Sequence, residues 1–284
     1  MTQKHRAKPR KKTRKDGAAP GPGSDRGARP GPAPRNKGTV PKGQDGVWLY
    51  GRHAVAAALA NPGRKINRVF ATKNAADWLK DHGAAGAALA RLEDIKPDEI
   101  DRLLHDGAVH QGLAALAEDL PRARLEDVCA PAEKHAPVLI LDQITDPQNI
   151  GAMFRAAAAF GAKAVIVQDR RTPPLSGALA KAAAGAIEIL PCIEVVNIAR
   201  AIEALQEMGY FCAGLAGEAQ TEIAALPDAP LALVMGAEGA GLRRLVAEKC
   251  DQLFRIPIAP DMESLNVSTA AAVSLYEVRR RIAP

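Results

Sequence analysis

"VLILDQITDPQNIGAMFRAAAAFGAKAVIVQ", residues 138–168, decides how this chain folds. Its outer parts, "VLIL" and "AVIV", are short, nearly continuous apolar runs, the form a strand takes when both faces of its sheet are covered. Between them Asp146 suits a helix N-cap, with Pro147 at the first helical position. Ile150, Met153, Phe154, Ala157 and Ala158 then follow at i, i+3, i+4, i+7 and i+8, a core-facing stripe. Strand, helix, strand is the unit of a parallel sheet. Between Ile150 and Phe160 the one polar side chain is that of Arg155. The spacing therefore predicts a helix buried nearly all round, with a guanidinium that needs an anionic partner or ligand.

The same rhythm runs outward in both directions. Downstream, "AIEILP", "YFCAGLA", "LALVM" and "LFRIPI" read as further strands alternating with helices, so the fold class is α/β with a parallel sheet covered on both faces. Ligands of such sheets bind beyond the carboxyl ends of the strands. The loops after Leu141, Met235 and Ile258 are thus where chemistry is expected. Upstream, a helix from Gly51 is closed by the turn Asn61, Pro62, Gly63, and a strand follows at Ile66–Ala71. "DWLKDHGAAGAALARLEDIKPDEIDRLLHDG" has helical spacing, and "AVHQGLAALA" reads as a strand edge with a turn. The expected organisation is a tail over 1–47, a small α/β unit over 48–118, a charged, Pro-containing linker over 119–136 and the sheet domain over 137–284.

Charge is distributed unevenly. Residues 1–47 hold 13 Lys or Arg against 3 Asp, a surplus of +10 in a chain whose total is +6, which leaves −4 for the remainder. With few large apolar residues the tail is expected to be disordered, and a basic arm of this kind binds phosphate backbones without reading sequence. No apolar run approaches the roughly 20 residues of a bilayer span, and the N-terminus lacks the apolar core of a secretory signal. An intracellular, cytoplasmic protein with no membrane association is expected. Cys129, Cys192, Cys212 and Cys250 fall at no zinc-site spacing. They read as reduced, buried small hydrophobes, and no metal is expected.

Two more loops depart from plain connections. In "MGAEGAGLRR", residues 235–244, the glycines are spaced G-x-x-G-x-G, which is neither the dinucleotide fingerprint nor a P-loop. A nicotinamide oxidoreductase and a nucleoside triphosphate site are set aside on that ground. What remains is approachable backbone at Gly236, Gly239 and Gly241 around the carboxylate of Glu238. Arg243 and Arg244 open the next helix, an unfavourable end for cations, so they should point at something negative. In "ESLNVS", residues 263–268, an extended backbone projects Ser264, Asn266 and Ser268 to one side. One of them caps the following helix, whose buried stripe is Val267, Ala271, Leu275 and Val278 and which ends in three arginines.

Together the loops resemble the three motifs of the SpoU, or TrmH, family of RNA 2′-O-ribose methyltransferases in the SPOUT superfamily. The first is similar to D-P-x-N-x-G-x-x-x-R at Asp146, Pro147, Asn149, Gly151 and Arg155, the second to G-x-E-x-x-G at Gly236, Glu238 and Gly241, the third to S-L-N-V-S from Ser264 to Ser268. "YGRHAVAAAL" and "VHQGLAA" in the front unit resemble the ribosomal-protein-like RNA-binding domain of the ribosomal RNA branch. The resemblance implies a deep trefoil knot in the C-terminal domain, a homodimer formed through it, S-adenosylmethionine as methyl donor and RNA as partner. It implies cofactor contacts at Gly236, Ile256 and Leu265, and a catalytic group of Asn149, Arg155, Glu238, Ser264 and Asn266. Arg155 fits electrostatic stabilisation better than proton abstraction, because a guanidinium with a pKa above about 12 is a poor acceptor. A guanosine of 23S ribosomal RNA is the implied target. A transfer RNA ribose methyltransferase and a catalytically silent RNA-binding or assembly protein are the alternatives.

Overall fold

The computed structural model describes residues 46–82 and 89–282. The expected disordered tail over 1–47 lies, but for its last two residues, outside them. The front unit runs β1 (Val47–Tyr50), α1 (Arg52–Ala60), β2 (Ile66–Ala71), α2 (Lys73–Asp81), β3 (Leu92–Asp94), α3 (Pro97–Leu103) and β4 (Leu113–Ala117). Its sheet has the order β1-β4-β2-β3. Two expectations are corrected here. The helical spacing expected through residues 77–107 is broken by β3, which pairs in parallel with β2 (Val69 opposite Leu92). Pro97 at the first position of α3 disfavours helical geometry at Lys96 and so prevents one continuous helix. β4 is a central strand rather than an edge, buried at all five positions between β1 and β2.

The stretch expected as a linker contains a short helix, α4 (Leu125–Cys129), whose Leu125 and Cys129 are buried. The Tyr210 hydroxyl donates to the Cys129 carbonyl (2.9 Å), and Lys163 Nζ donates to that of Pro131 (2.7 Å). The second sheet then follows: β5 (Val138–Leu141), α5 (Pro147–Ala159), β6 (Ala164–Gln168), α6 (Gly177–Ala183), β7 (Cys192–Val195), α7 (Ile198–Glu207), β8 (Phe211–Leu215), β9 (Thr221–Glu222), β10 (Leu231–Met235), α8 (Arg244–Lys249), β11 (Gln252–Arg255) and α9 (Val267–Ile282). Its seven strands lie in the order β7-β6-β5-β10-β8-β11-β9, and every pair is parallel. "AIEILP" is not a strand. Ala186–Glu188 forms a 3₁₀ turn after Gly185 (φ +94°), and β7 begins beyond Pro191. Ile187 and Leu190 are buried while Ile189 is 75% exposed, a helical spacing that a short apolar run conceals.

Alternation along β5 shows how the sheet is covered. Leu139 and Leu141 belong to the core that also holds the buried residues of α5, α6, α9 and the front unit; Val138 and Ile140 belong to the one that holds those of α4, α7 and α8. On α5, Ile150, Met153, Phe154 and Ala157 are fully buried, as the stripe requires, while its fifth position, Ala158, is half-buried. The helix is not buried all round, however: Arg155 and Ala159 are exposed and Ala152 and Ala156 half-buried. Alanine is apolar but small and tolerates water, so composition alone overstated burial of that face. Cys129 and Cys212 are buried, while Cys192 and Cys250 are half-buried. Burial pushes the Cys129 thiol up to about 11 and those of Cys192 and Cys250 to about 12, so they stay protonated and unreactive at neutral pH.

Candidate active site

β5, β10 and β8 end level with one another, Met235 lying opposite both Leu141 and Leu215. Just beyond these ends lies a cavity of about 420 Å³. Its walls come from the loops after β8 (Gly217, Glu218), β10 (Gly236, Glu238) and β11 (Ile256, Ile258), and from Glu263, Ser264 and Leu265 ahead of α9. The three expected cofactor residues and two of the five expected catalytic residues thus border one space. The volume falls within the range usual for small-molecule sites.

The β10 loop is shaped by backbone contact. Ala237 N donates to the Gly241 carbonyl (3.0 Å) and Gly241 N to that of Ala237 (2.9 Å). A Cβ on Gly236 would lie 2.2 Å from the Gly241 carbonyl carbon and 2.3 Å from Leu242 N, so only glycine closes the loop. Its exit is pinned by Asp142, which is fully buried at the end of β5. That carboxylate accepts from Arg243 N (3.1 Å), Nε (2.8 Å) and Nη2 (2.5 Å). The negative partner expected of Arg243 is therefore Asp142; that of Arg244 is Glu248, one turn along α8. Glu238 is exposed at the cavity wall, and among the described residues its carboxylate has no hydrogen-bond partner.

Asn266 is the N-cap of α9: its Oδ1 accepts from Ser268 N (2.9 Å), Thr269 N (3.3 Å) and Ser268 Oγ (2.6 Å). Its Nδ2 donates to Asn149 Oδ1 (3.0 Å). Asp146 caps α5 by accepting from Gln148 N and Asn149 N, which leaves the Asn149 amide to make that bridge. The expected row of Ser264, Asn266 and Ser268 is thereby corrected. Ser268 already lies in the helix, where the backbone coils rather than alternates, and Ser264 faces the cavity instead. Arg155 is exposed, lies outside the cavity wall and, among the described residues, has no hydrogen bond or ion pair. Six residues beyond Asn149 it stands about 9 Å farther along the helix.

The loop after β8, "AGEAQ", is not among the three expected from the sequence, although Gly and Glu directly beyond an apolar strand are the same signal that marks the β10 loop. It belongs to the site because β8 lies between β10 and β11. Glu218, Glu238 and Glu263 surround the cavity, while Arg255 is paired with Glu222 (3.3 Å). The wall is net acidic, which favours a cationic ligand.

The profile of the SpoU rRNA Methylase family matches residues 136–276, and that of RNA 2′-O ribose methyltransferase substrate binding matches residues 48–123. The chain is 39% identical over 246 residues to the 23S rRNA (guanosine-2′-O-)-methyltransferase RlmB of Vibrio parahaemolyticus, covering 83% of this chain and 98% of that one. To the protein of the same name from a Burkholderia species it is 42% identical over 240 residues, covering 82% and 96%. Among solved structures, an rRNA methyltransferase from Sinorhizobium meliloti superposes with a TM-score of 0.69 at 25% identity, covering 84% of this chain and 88% of the other. The SpoU methyltransferase AviRb from Streptomyces viridochromogenes, in complex with AdoMet, shares the fold at a TM-score of 0.67 and 21% identity, covering 83% and 89%. With relatives aligned along nearly their whole length and all three loops inside the matched span, the chain belongs to the SpoU rRNA methylase family.

Proposed function

We propose that this chain transfers a methyl group from S-adenosylmethionine to a ribose 2′-hydroxyl of RNA, at a guanosine of 23S ribosomal RNA. One observation carries the reading: residues from three separate motifs meet at one acidic-walled cavity and at the Asn149–Asn266 bridge beside it. Identity to named guanosine methyltransferases along nearly their full length supports the substrate.

The cavity fits the cofactor's chemistry. Ile256, Ile258 and Leu265 offer an apolar surface for a base, backbone near Gly236 is closely approachable, and three glutamates suit an ammonium and a sulfonium. Bound there, S-adenosylmethionine supplies an electrophilic methyl group. The chain's residues do the rest. The glutamates favour the cationic ligand, and the Asn149–Asn266 bridge fixes two amides at the mouth of α5 and α9. Arg155 stands free to hold an RNA phosphate and to stabilise negative charge as it develops on the 2′-oxygen.

The reading includes two finer points of architecture. The chain passes from β11, outside β8, back to the mouth of α5, which supports a deep trefoil knot in the C-terminal part. The half-exposed alanine face of α5 is continued by Phe160 and by Tyr276, which is 53% exposed with its ring 5.9 Å from that of Phe160. Such a face supports a homodimer through this domain. Cytoplasmic location follows from the substrate, and no helix among the described residues is long and apolar enough to cross a membrane. The test is transfer of labelled methyl to unmodified 23S and transfer RNA, with the modified ribose mapped. Methylation confined to transfer RNA would refute the substrate; transfer to no RNA, naked or in a ribosomal particle, would refute the activity.

A further inference from the structure

The chemistry above leaves unused a deeply buried ion pair that joins the two sheets. Arg64 lies in the turn between α1 and β2, and Glu188 ends the 3₁₀ turn ahead of β7; their side chains are 2% and 4% exposed. Arg64 Nε donates to both Glu188 oxygens (3.1 and 3.0 Å) and Nη2 to Oε1 (2.6 Å). Its Nη1 donates to the Glu118 carbonyl just past β4 (2.9 Å). Asn61 Nδ2 donates to the Glu188 carboxylate (2.9 Å) and to its carbonyl (3.1 Å). A pair withdrawn this far from water adds little stability over apolar packing of the same volume. What it does impose is one geometry, because a small slide between the two sheets would leave several buried charged or polar groups unpaired.

The surroundings connect that geometry to the active site. A Cβ on Gly185 would lie 2.6 Å from that of Ala57, and one on Gly177 3.6 Å from the Tyr50 ring, so α6 and its following turn are seated closely on the front unit. On its other side α6 meets α5 at Gly151, where a Cβ would lie 2.5 Å from Ala182 Cβ and 2.7 Å from the Leu179 carbonyl. α5 carries Asn149 and Arg155. A closely packed path thus runs from the front unit through Glu188 and α6 to the catalytic helix.

We infer that Arg64, Glu188 and Asn61 are positioning residues that hold the substrate-binding unit in one register against the methyl-transfer site, so that RNA gripped by the front unit presents one ribose to the cavity. The inference rests on the function proposed above. A loosened front unit still binds RNA, but it delivers the target ribose in many orientations, and the orientational part of the rate is lost.

The experiment compares the full chain with Glu188→Gln and Arg64→Lys. Four quantities are measured: kcat/KM on unmodified 23S RNA, the map of methylated riboses, S-adenosylmethionine affinity by calorimetry, and the radius of gyration by small-angle scattering. For Glu188→Gln, kcat/KM is expected to fall about tenfold or more. Methylation should spread to neighbouring riboses and the radius of gyration should rise, with cofactor affinity unchanged. Arg64→Lys, which keeps the charge and loses the fork, should fall between. Unchanged kcat/KM and unchanged scattering would overturn the inference, as would a fall in rate matched by lost cofactor affinity without expansion. Should the wild type methylate no RNA, the proposed function fails and scattering alone judges the clasp, expansion supporting it and an unchanged radius overturning it. If Glu188→Gln does not fold, Arg64→Lys carries the same measurements.

Discussion

Two charged side chains, Asp142 ahead of α5 and Arg155 two turns into it, have opposite circumstances, and each sets an expectation. Asp142 is fully buried and accepts three hydrogen bonds from Arg243. Asp142→Ala leaves that guanidinium without its counter-charge and frees the exit of the β10 loop. Because the Arg243 side chain is 38% exposed and can be rehydrated, denaturant unfolding should show a loss of about 2 kcal/mol, and calorimetry should show weakened cofactor binding. Arg155 is exposed and has no partner among the described residues. Arg155→Ala should therefore shift stability by no more than about 0.5 kcal/mol and leave S-adenosylmethionine affinity intact. Its methyl transfer should nevertheless fall by about a hundredfold or more, the scale seen when a donor to developing charge is removed. Arg155→Lys tests the fork: a variant keeping most of its single-turnover rate would show that point charge alone suffices.

At the scale of elements, two glycines hold distances no other residue permits. Gly236→Ala sets a Cβ against the backbone of Gly241 and Leu242, which cannot yield as a side chain can. Cofactor binding should vanish in calorimetry while circular dichroism reports an intact sheet. Gly151→Ala forces α5 from α6 and should cost about 1–3 kcal/mol by overpacking. Both glycines were visible in the sequence as motif positions, but their reasons were not, since each depends on a segment that only folding brings near. The same limit explains what else was legible. Strands β5, β6, β8 and β10 were read correctly because both their faces are buried, and α5 because stripe, cap and Pro147 agree. The register of 186–195 and the three-residue β3 were not, because runs this short carry no period of their own. The burial of α5 was overstated because alanine is compatible with both environments. Of the site, the cavity residues of the second and third motifs are legible, whereas Glu218 carries the same Gly-Glu signal but is tied to the cavity only by the strand order that sets β8 between β10 and β11.

At the scale of the whole molecule, charge and exposed apolar surface divide the tasks of finding RNA and assembling the enzyme. Tyr276 and Phe160 continue the alanine face of α5, so if the proposed homodimer forms through it, sedimentation should show a dimer for the wild type and a folded monomer for Tyr276→Asp, and a monomeric wild type would refute the dimer. The basic residues are concentrated elsewhere. Residues 1–47 carry a surplus of +10 while the rest of the chain is net negative, and the cavity wall itself is acidic. A net-negative body is poorly suited to attract a polyanion at long range, so the tail is expected to make the first electrostatic capture of RNA. Each phosphate it neutralises steepens the dependence of log affinity on log salt by about 0.7 to 0.9. Removing residues 1–45 should accordingly weaken RNA binding at low salt and flatten that slope by several units. S-adenosylmethionine affinity and the identity of the methylated ribose should stay unchanged, because cavity and clasp lie outside the tail. Equal slopes with and without the tail would place the RNA contacts on the folded units alone and leave the tail no part in capture.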